Sequence, residues 1–105
     1  MTTAPRFSEA RLEGDFRDGV LRAGGISVKL APTAAGTPDR LVLWPGGRIE
    51  LVELKTDSGP LRKIQEVWHR RAAALGVDVR VVRGRSGVED YLADRQQDAE
   101  LAPTG

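Results

Sequence analysis

Apolar residues recur at helical spacing in two parts of the chain. Between Ser8 and Ala23 they lie four positions apart and predict a first amphipathic helix, with an apolar side made of Leu12, Phe16 and Val20. Between Pro60 and Gly76 a longer stripe predicts a second helix, with the proline at its first position and the glycine just past its last turn. The members of the second stripe are Leu61, Ile64, Trp68, Ala72 and Leu75.

Four shorter segments have the alternation or the β-branched content of strands. They are residues 26–30, 39–44, 48–55 and 77–82. The Pro-Gly-Gly segment 45–47 lies between the second and the third of them and predicts a hairpin. A capping box that starts at Ser86 predicts a last short helix ending near Asp94. We therefore expect one domain over residues 1–95 and a flexible tail over residues 96–105.

This order of elements predicts an α/β fold. The hairpin must be antiparallel, whereas the strand–helix–strand unit from Arg48 to Val82 should be a right-handed crossover between parallel strands. The expected architecture is a mixed four-stranded sheet flanked by helices. A length of 105 residues suits one such domain.

The composition excludes several kinds of chemistry. The chain has no cysteine, which rules out disulfides, cysteine zinc sites and thiol catalysis. Its single histidine, His69, argues against a Ser-His-Asp triad and against a multi-histidine metal site, and by sequence it is a surface residue. No apolar run is long enough to span a bilayer, and the N-terminus lacks a signal-peptide core, so we expect a cytoplasmic protein without membrane contact. The glycine pair 46–47 lacks phosphate-loop spacing, so no nucleotide cofactor is expected.

The net charge of +1 conceals an uneven distribution. Residues 62–85 carry seven basic residues and two acidic ones, whereas residues 86–105 carry five acidic residues and one arginine. A basic segment of this kind is either a solvated surface or a contact for a polyanion.

Two carboxylates become neighbours if the hairpin turn has three residues. Trp44 then pairs with Arg48, and Asp39 stands opposite Glu53. Like charges in that position are destabilising unless a proton or a divalent cation lies between them. A two-residue turn would separate the pair, in which case Glu53 is an ordinary solvated strand residue and Asp39 a turn residue.

Lys55 lies two residues after Glu53 and therefore on the same face of the strand. An ammonium beside a metal position can orient an attacking water or stabilise developing phosphate charge. The chain has thirteen arginines and only three lysines. A lysine at this position therefore suggests a role for a compact ammonium charge that can take part in proton transfer, which a guanidinium group cannot do. A solvated Glu–Lys strand pair is the alternative.

Two further candidates lie on the helices. Glu9 and Glu13 share a face of the first helix with Arg17, so either glutamate could join the carboxylates, or simply pair with the arginine. Gln65 lies at the margin of the second apolar stripe, where its amide could hydrogen-bond a water or a phosphate.

Taken in order, these residues resemble a known family. Segments 36–40 (Gly-Thr-Pro-Asp-Arg) and 52–55 (Val-Glu-Leu-Lys), followed by Gln65, resemble the PD-(D/E)XK nuclease superfamily, and more closely its VRR-NUC domains. The resemblance extends from about Leu12 to Val82 and implies a restriction-endonuclease-like αβββαβ core.

The resemblance also implies roles for individual residues. Asp39 and Glu53 would bind Mg²⁺ or Mn²⁺ with help from Glu13, Lys55 would be the catalytic lysine, and Gln65 would lie at the active site. The basic residues expected to contact the DNA backbone are Arg40, Arg62, Lys63 and Arg70.

The function implied is metal-dependent hydrolysis of DNA. Stand-alone members of the family resemble small phage-type enzymes that cut branched DNA such as Holliday junctions as homodimers, in the cytoplasm of a bacterium or an infected host cell. Two alternatives remain: a monomeric flap or single-strand nuclease, and a non-catalytic DNA-binding or protein-interaction module on the same fold.

Overall fold

A computed structural model describes residues 8–31 and 34–101. The elements follow the predicted order, and they are α1 (Glu9–Arg22), β1 (Ile26–Lys29), β2 (Arg40–Trp44), β3 (Arg48–Lys55), α2 (Lys63–Ala74), β4 (Val79–Arg83) and α3 (Gly84–Leu101). At the start of α1 the Ser8 hydroxyl accepts a hydrogen bond from the Arg11 amide at 3.1 Å, which caps the helix.

The four strands form one mixed sheet in the order β1-β2-β3-β4. The pairs β1–β2 and β2–β3 are antiparallel, and β3–β4 is parallel, which confirms the predicted α/β class. Trp44 pairs with Arg48 and Arg40 pairs with Val52, so the hairpin has the three-residue turn. Asp39 immediately precedes β2 and, by the same register, lies beside Glu53.

Helices α1 and α3 pack on one face of the sheet and form the core with it. Leu12, Phe16 and Val20 of α1 are buried as predicted, against the fully buried Val42 and Val52 of the sheet. Gly19, an unfavourable residue inside a helix, is buried where α1 meets the Leu92 side chain of α3. A side chain at this position would overlap Leu92, so the glycine permits close approach of the two helices.

The prediction for α2 is wrong in two respects. The helix begins at Lys63, so Pro60 is not its first residue. Its buried residues are Gln65 and Ala72, whereas Leu75 of the predicted stripe is 84% exposed. The physical reason is that α2 packs against the edge strand β4 and leaves most of this side of the sheet uncovered, so its apolar stripe has little to pack against.

The uncovered part of the sheet is aliphatic. The strand register places six side chains on it, and we call them the aliphatic face: Ile26, Val28, Leu41, Leu43, Ile49 and Leu51. Ile49 is 62% exposed and Ile26 is 56% exposed.

The last helix is longer than predicted, because α3 continues past Asp94 to Leu101. Residues 96–101 are therefore helical, while residues 102–105 of the predicted tail lie outside the described part of the chain. A buried polar network stabilises this extension: the Arg95 guanidinium donates to Glu50 Oε2 at 3.0 Å, and the Tyr91 hydroxyl donates to Glu50 Oε1 at 2.7 Å. The Trp44 indole also donates to Glu50 Oε1, at 3.0 Å. Within residues 8–31 and 34–101, no helix combines the length and apolarity required to cross a membrane.

Candidate active site

A polar cleft of about 290 Å³ lies between α1, the start of α2 and the ends of β2 and β3. Among the side chains that line it are most of the predicted site residues, namely Glu13, Asp39, Lys55, Arg62 and Gln65. These residues are far apart in the sequence and come from four different parts of the fold. The topology therefore gathers these five residues at one place, while Glu53 is fully buried and does not line the cleft.

Asp39 is held in the cleft by hydrogen bonds through both its side chain and its backbone. Its Oδ2 accepts from the Leu54 amide at 2.9 Å, and its carbonyl accepts from the Leu30 amide at 2.8 Å. The preceding turn passes close to α2 at Gly36, which has a φ of +88°. A Cβ there would lie 2.5 Å from the Ile64 carbonyl oxygen, so only glycine allows this approach.

Glu53 lies beside Asp39 and is fully buried, with 0% of its surface exposed. As an ionised carboxylate, Glu53 has no hydrogen-bond donor at either of its two buried oxygens. Burial, followed by a hydrogen bond of the protonated form to Asp39 and repulsion from the Asp39 charge, raises the pKa of Glu53 from 4.5 to about 8. Nearby Lys55 and Arg62 partly oppose the rise in the Glu53 pKa. The site therefore contains a carboxyl group that is costly to ionise in the absence of a further positive charge.

The Glu13 carboxylate belongs to the cleft but already has cationic partners. Its Oε1 lies 3.3 Å from Nη2 of Arg40 and 3.6 Å from Nζ of Lys29. Arg40 is only 5% exposed and also donates to the Ser27 hydroxyl, at 3.4 Å. The prediction that Arg40 contacts DNA is corrected here, because its buried guanidinium holds Glu13 instead of facing solvent.

Gln65 and the remaining basic residues surround the start of α2. The Gln65 amide oxygen accepts from the Arg62 backbone amide at 2.9 Å, so this buried side chain caps the helix as well as lining the cleft. Arg62, Lys63 and Arg70 are exposed, as a contact with a nucleic acid requires. Arg62 also lines the cleft.

His69 is a residue that the sequence interpretation missed. It lies on the sheet side of α2, with its Nε2 atom 3.6 Å from Glu53 Oε1 and only 14% of its side chain exposed. Burial lowers its pKa, and the positive charge of Lys55 lowers it further, although Glu66 opposes the shift. The four-residue spacing from Gln65 could have indicated this placement, since residues at i and i+4 share a helix face.

Known proteins resemble this chain in sequence and in fold. No family model matches the chain. A protein named "Putative nuclease p44", from Acyrthosiphon pisum secondary endosymbiont phage 1, is 37% identical over 75 residues, which span 70% of this chain and 81% of that protein. A solved structure described as "VRR_NUC domain" matches with a TM-score of 0.73 and 29% identity, over 81% of this chain and 94% of that one. The chain belongs to the VRR-NUC nuclease family. The resemblance inferred from its motifs is thereby confirmed, together with the restriction-endonuclease-like fold.

The polar groups of this VRR-NUC nuclease fit a hard divalent cation held by few protein ligands. Within the described ranges, no three His, Cys, Asp or Glu side chains are grouped closely enough to form a complete metal cage. Mg²⁺ commonly uses one or two carboxylates and takes its other ligands from water and substrate phosphate. The partnerless oxygens of Glu53 lie beside Asp39, which itself lines the polar cleft, and this arrangement matches the requirement.

Proposed function

We propose that this VRR-NUC nuclease is a metal-dependent DNA endonuclease, with Mg²⁺ or Mn²⁺ held by Asp39 and Glu53. The observation that carries the proposal is the Glu53 carboxyl, which is buried without a hydrogen-bond partner beside a second carboxyl. A cation between the two groups would remove the repulsion and supply the missing partner. A structural glutamate would be expected to have a donor in the protein itself.

The side chains around the pair suit phosphodiester hydrolysis. When bound, the metal supplies a Lewis acid that polarises the scissile phosphate and lowers the pKa of a coordinated water. Lys55 lines the same cleft, where its ammonium orients the attacking water and stabilises the charge that develops on the phosphate. Glu13, fixed by Arg40 and Lys29, is the additional carboxylate at the cleft. Gln65 keeps the start of α2 in place and contributes a polar wall.

DNA is the substrate that the exposed charges favour. Arg62, Lys63 and Arg70 lie exposed on or beside α2, and arginine and lysine neutralise backbone phosphates. Contacts of this kind read the backbone and its shape rather than base sequence. We therefore propose branched DNA, such as a four-way junction, as the preferred substrate, in the cytoplasm of a bacterium or a phage-infected cell.

The aliphatic face supports a homodimer. Its side chains carry no charge, and a face without cations has no means of binding DNA phosphates. Exposed apolar patches bounded by polar residues typically mark protein interfaces. A second copy packed on this face by two-fold symmetry would cover it and supply a second cleft for the opposite strand of a junction.

The decisive experiment measures cleavage of a labelled four-way junction, a flap, a single strand and a linear duplex, with Mg²⁺, Mn²⁺ or EDTA. The wild type should cut the junction best and only with metal. Lys55→Ala and Asp39→Asn should lose at least 100-fold in cleavage rate while still binding the junction in a gel shift.

Other outcomes would replace parts of the proposal. Activity in EDTA, or full activity of Lys55→Ala, would refute the mechanism. Preferential cutting of flaps or single strands by a monomer would favour the alternative nuclease. Binding of DNA without cleavage of any substrate would favour a non-catalytic DNA-binding module.

A further inference from the structure

His69 faces Glu53 from across the sheet–helix boundary. Its Nε2 atom lies 3.6 Å from Glu53 Oε1, and the two side chains are 14% and 1% exposed. Neither Nε2 nor either Glu53 oxygen has a hydrogen-bond partner. A nitrogen able to donate and an oxygen able to accept are thus buried together, slightly farther apart than a hydrogen bond allows.

The packing of α2 fixes His69 in this position. Gln65 and Ala72, on either side of it in the helix, are the buried residues of α2, so this face of the helix is turned toward the sheet. The small Ala72 side chain lets the helix lie close to the strands. Gly36 also fits directly against the Ile64 carbonyl. The helix position, and with it the imidazole, is therefore set by contacts that do not depend on a ligand.

We propose that His69 is a positioning residue for the metal site, which donates its Nε2 proton to Glu53 Oε1 and leaves the other carboxylate oxygen for the cation. The inference rests on the proposed metal-binding function of Glu53. A carboxylate that ligates a metal is typically held by an outer hydrogen bond, and loss of such a bond costs about 10- to 100-fold in metal affinity. Among the side chains of the described residues, His69 is the one that faces Glu53 Oε1 with a nitrogen lacking a partner.

The test measures binding of Mn²⁺ alone to the DNA-free protein, by electron paramagnetic resonance of the free ion. His69→Gln places an amide N–H near the position of Nε2 and should retain wild-type affinity within about threefold. His69→Asn, which reaches only as far as Nδ1, and His69→Phe, which has no donor, should each bind Mn²⁺ at least tenfold more weakly. Arg71→Gln, at an exposed position of the same helix, is the matched control and should bind as the wild type does.

A merely structural histidine would give a different pattern. In that case all three His69 variants would have a lower free energy of unfolding in urea with EDTA. Their losses of Mn²⁺ affinity would follow their losses of stability, and His69→Gln would not recover the affinity. That pattern overturns the inference. Wild-type affinity in His69→Asn and His69→Phe, with binding abolished in Glu53→Gln, would also overturn it while leaving the metal function intact. Absence of Mn²⁺ binding by the wild type would refute both.

Discussion

Replacing Glu53 by glutamine should remove a specific pH dependence from the stability of the metal-free protein. The folded state keeps the Glu53 carboxyl protonated up to a pKa of about 8, whereas an unfolded glutamate ionises near 4.5. The folded protein therefore binds more protons than the unfolded chain between these values. Stability is fully present below pH 4.5 and is lost as the pH rises toward 8.

The size of the effect follows from the two pKa values. Each pKa unit corresponds to about 1.4 kcal/mol, so the whole rise corresponds to at most about 5 kcal/mol, of which about 3 kcal/mol falls between pH 5 and pH 8. The lowered pKa of His69 contributes to the pH dependence with the opposite sign. Because His69 lies 3.6 Å from Glu53, its contribution need not be equal in wild type and Glu53→Gln, so the same comparison is repeated in a His69→Gln background, where it is absent.

The assay is urea unfolding in EDTA at pH 5, 6, 7 and 8, followed by tryptophan fluorescence. The wild type should lose about 3 kcal/mol of unfolding free energy relative to Glu53→Gln over this range. Asp39→Asn should lose less unfolding free energy than the wild type does between pH 5 and pH 8, because Asp39 is the second cause of the raised pKa of Glu53 after burial. Parallel pH profiles for wild type and Glu53→Gln would refute the reasoning, since the Glu53 carboxyl would then ionise normally.

Three further perturbations test other contacts. Gly36→Ala should lower the free energy of unfolding in urea by about 2 kcal/mol more than Gly46→Ala does. Both glycines have a positive φ, but only Gly36 faces backbone atoms of α2, so equal losses would contradict this reasoning. Arg95→Met should lower the free energy of unfolding by about 3 kcal/mol, because it leaves the Glu50 carboxylate buried with fewer partners. Adding Glu50→Gln should restore part of this stability, whereas additive losses in the double variant would count against a coupled network. Ile49→Asp, on the aliphatic face, should give a monomer by light scattering while thermal unfolding stays cooperative, whereas a wild-type monomer would remove the proposed interface.

The sheet was predictable because local signals fix its strands, whereas its register depended on a turn length that the sequence left open. The Pro-Gly-Gly turn defines the hairpin, and the alternation of β3 assigns Glu50 and Glu53 to opposite faces. The carboxylate pair followed from these two facts only on the condition of a three-residue turn, which the structure shows. What they could not reveal is that Glu53 lacks a hydrogen-bond donor, since this depends on how closely α2 approaches the sheet.

The errors arose where tertiary packing overrides local pattern. The apolar stripe of α2 has an uncovered sheet surface beside it, so Leu75 remains exposed while the polar Gln65 is buried. Arg40 follows the predicted metal ligand Asp39 in the sequence, and its burial against Glu13 depends on the position of α1. The length of α3 depends on Arg95 reaching Glu50, a contact 45 residues apart in sequence.

The hairpin turn of residues 45–47 has a consequence for how this protein can vary. Surface turns generally accept insertions and deletions with little penalty. Here a change of one residue would reverse the faces of β2 and β3 relative to each other and carry Asp39 away from Glu53, although no turn residue lines the cleft. The length of the turn therefore determines which residues of β2 and β3 stand opposite each other at the site. Its length, more than the identity of its glycines, is what we expect natural variation to preserve.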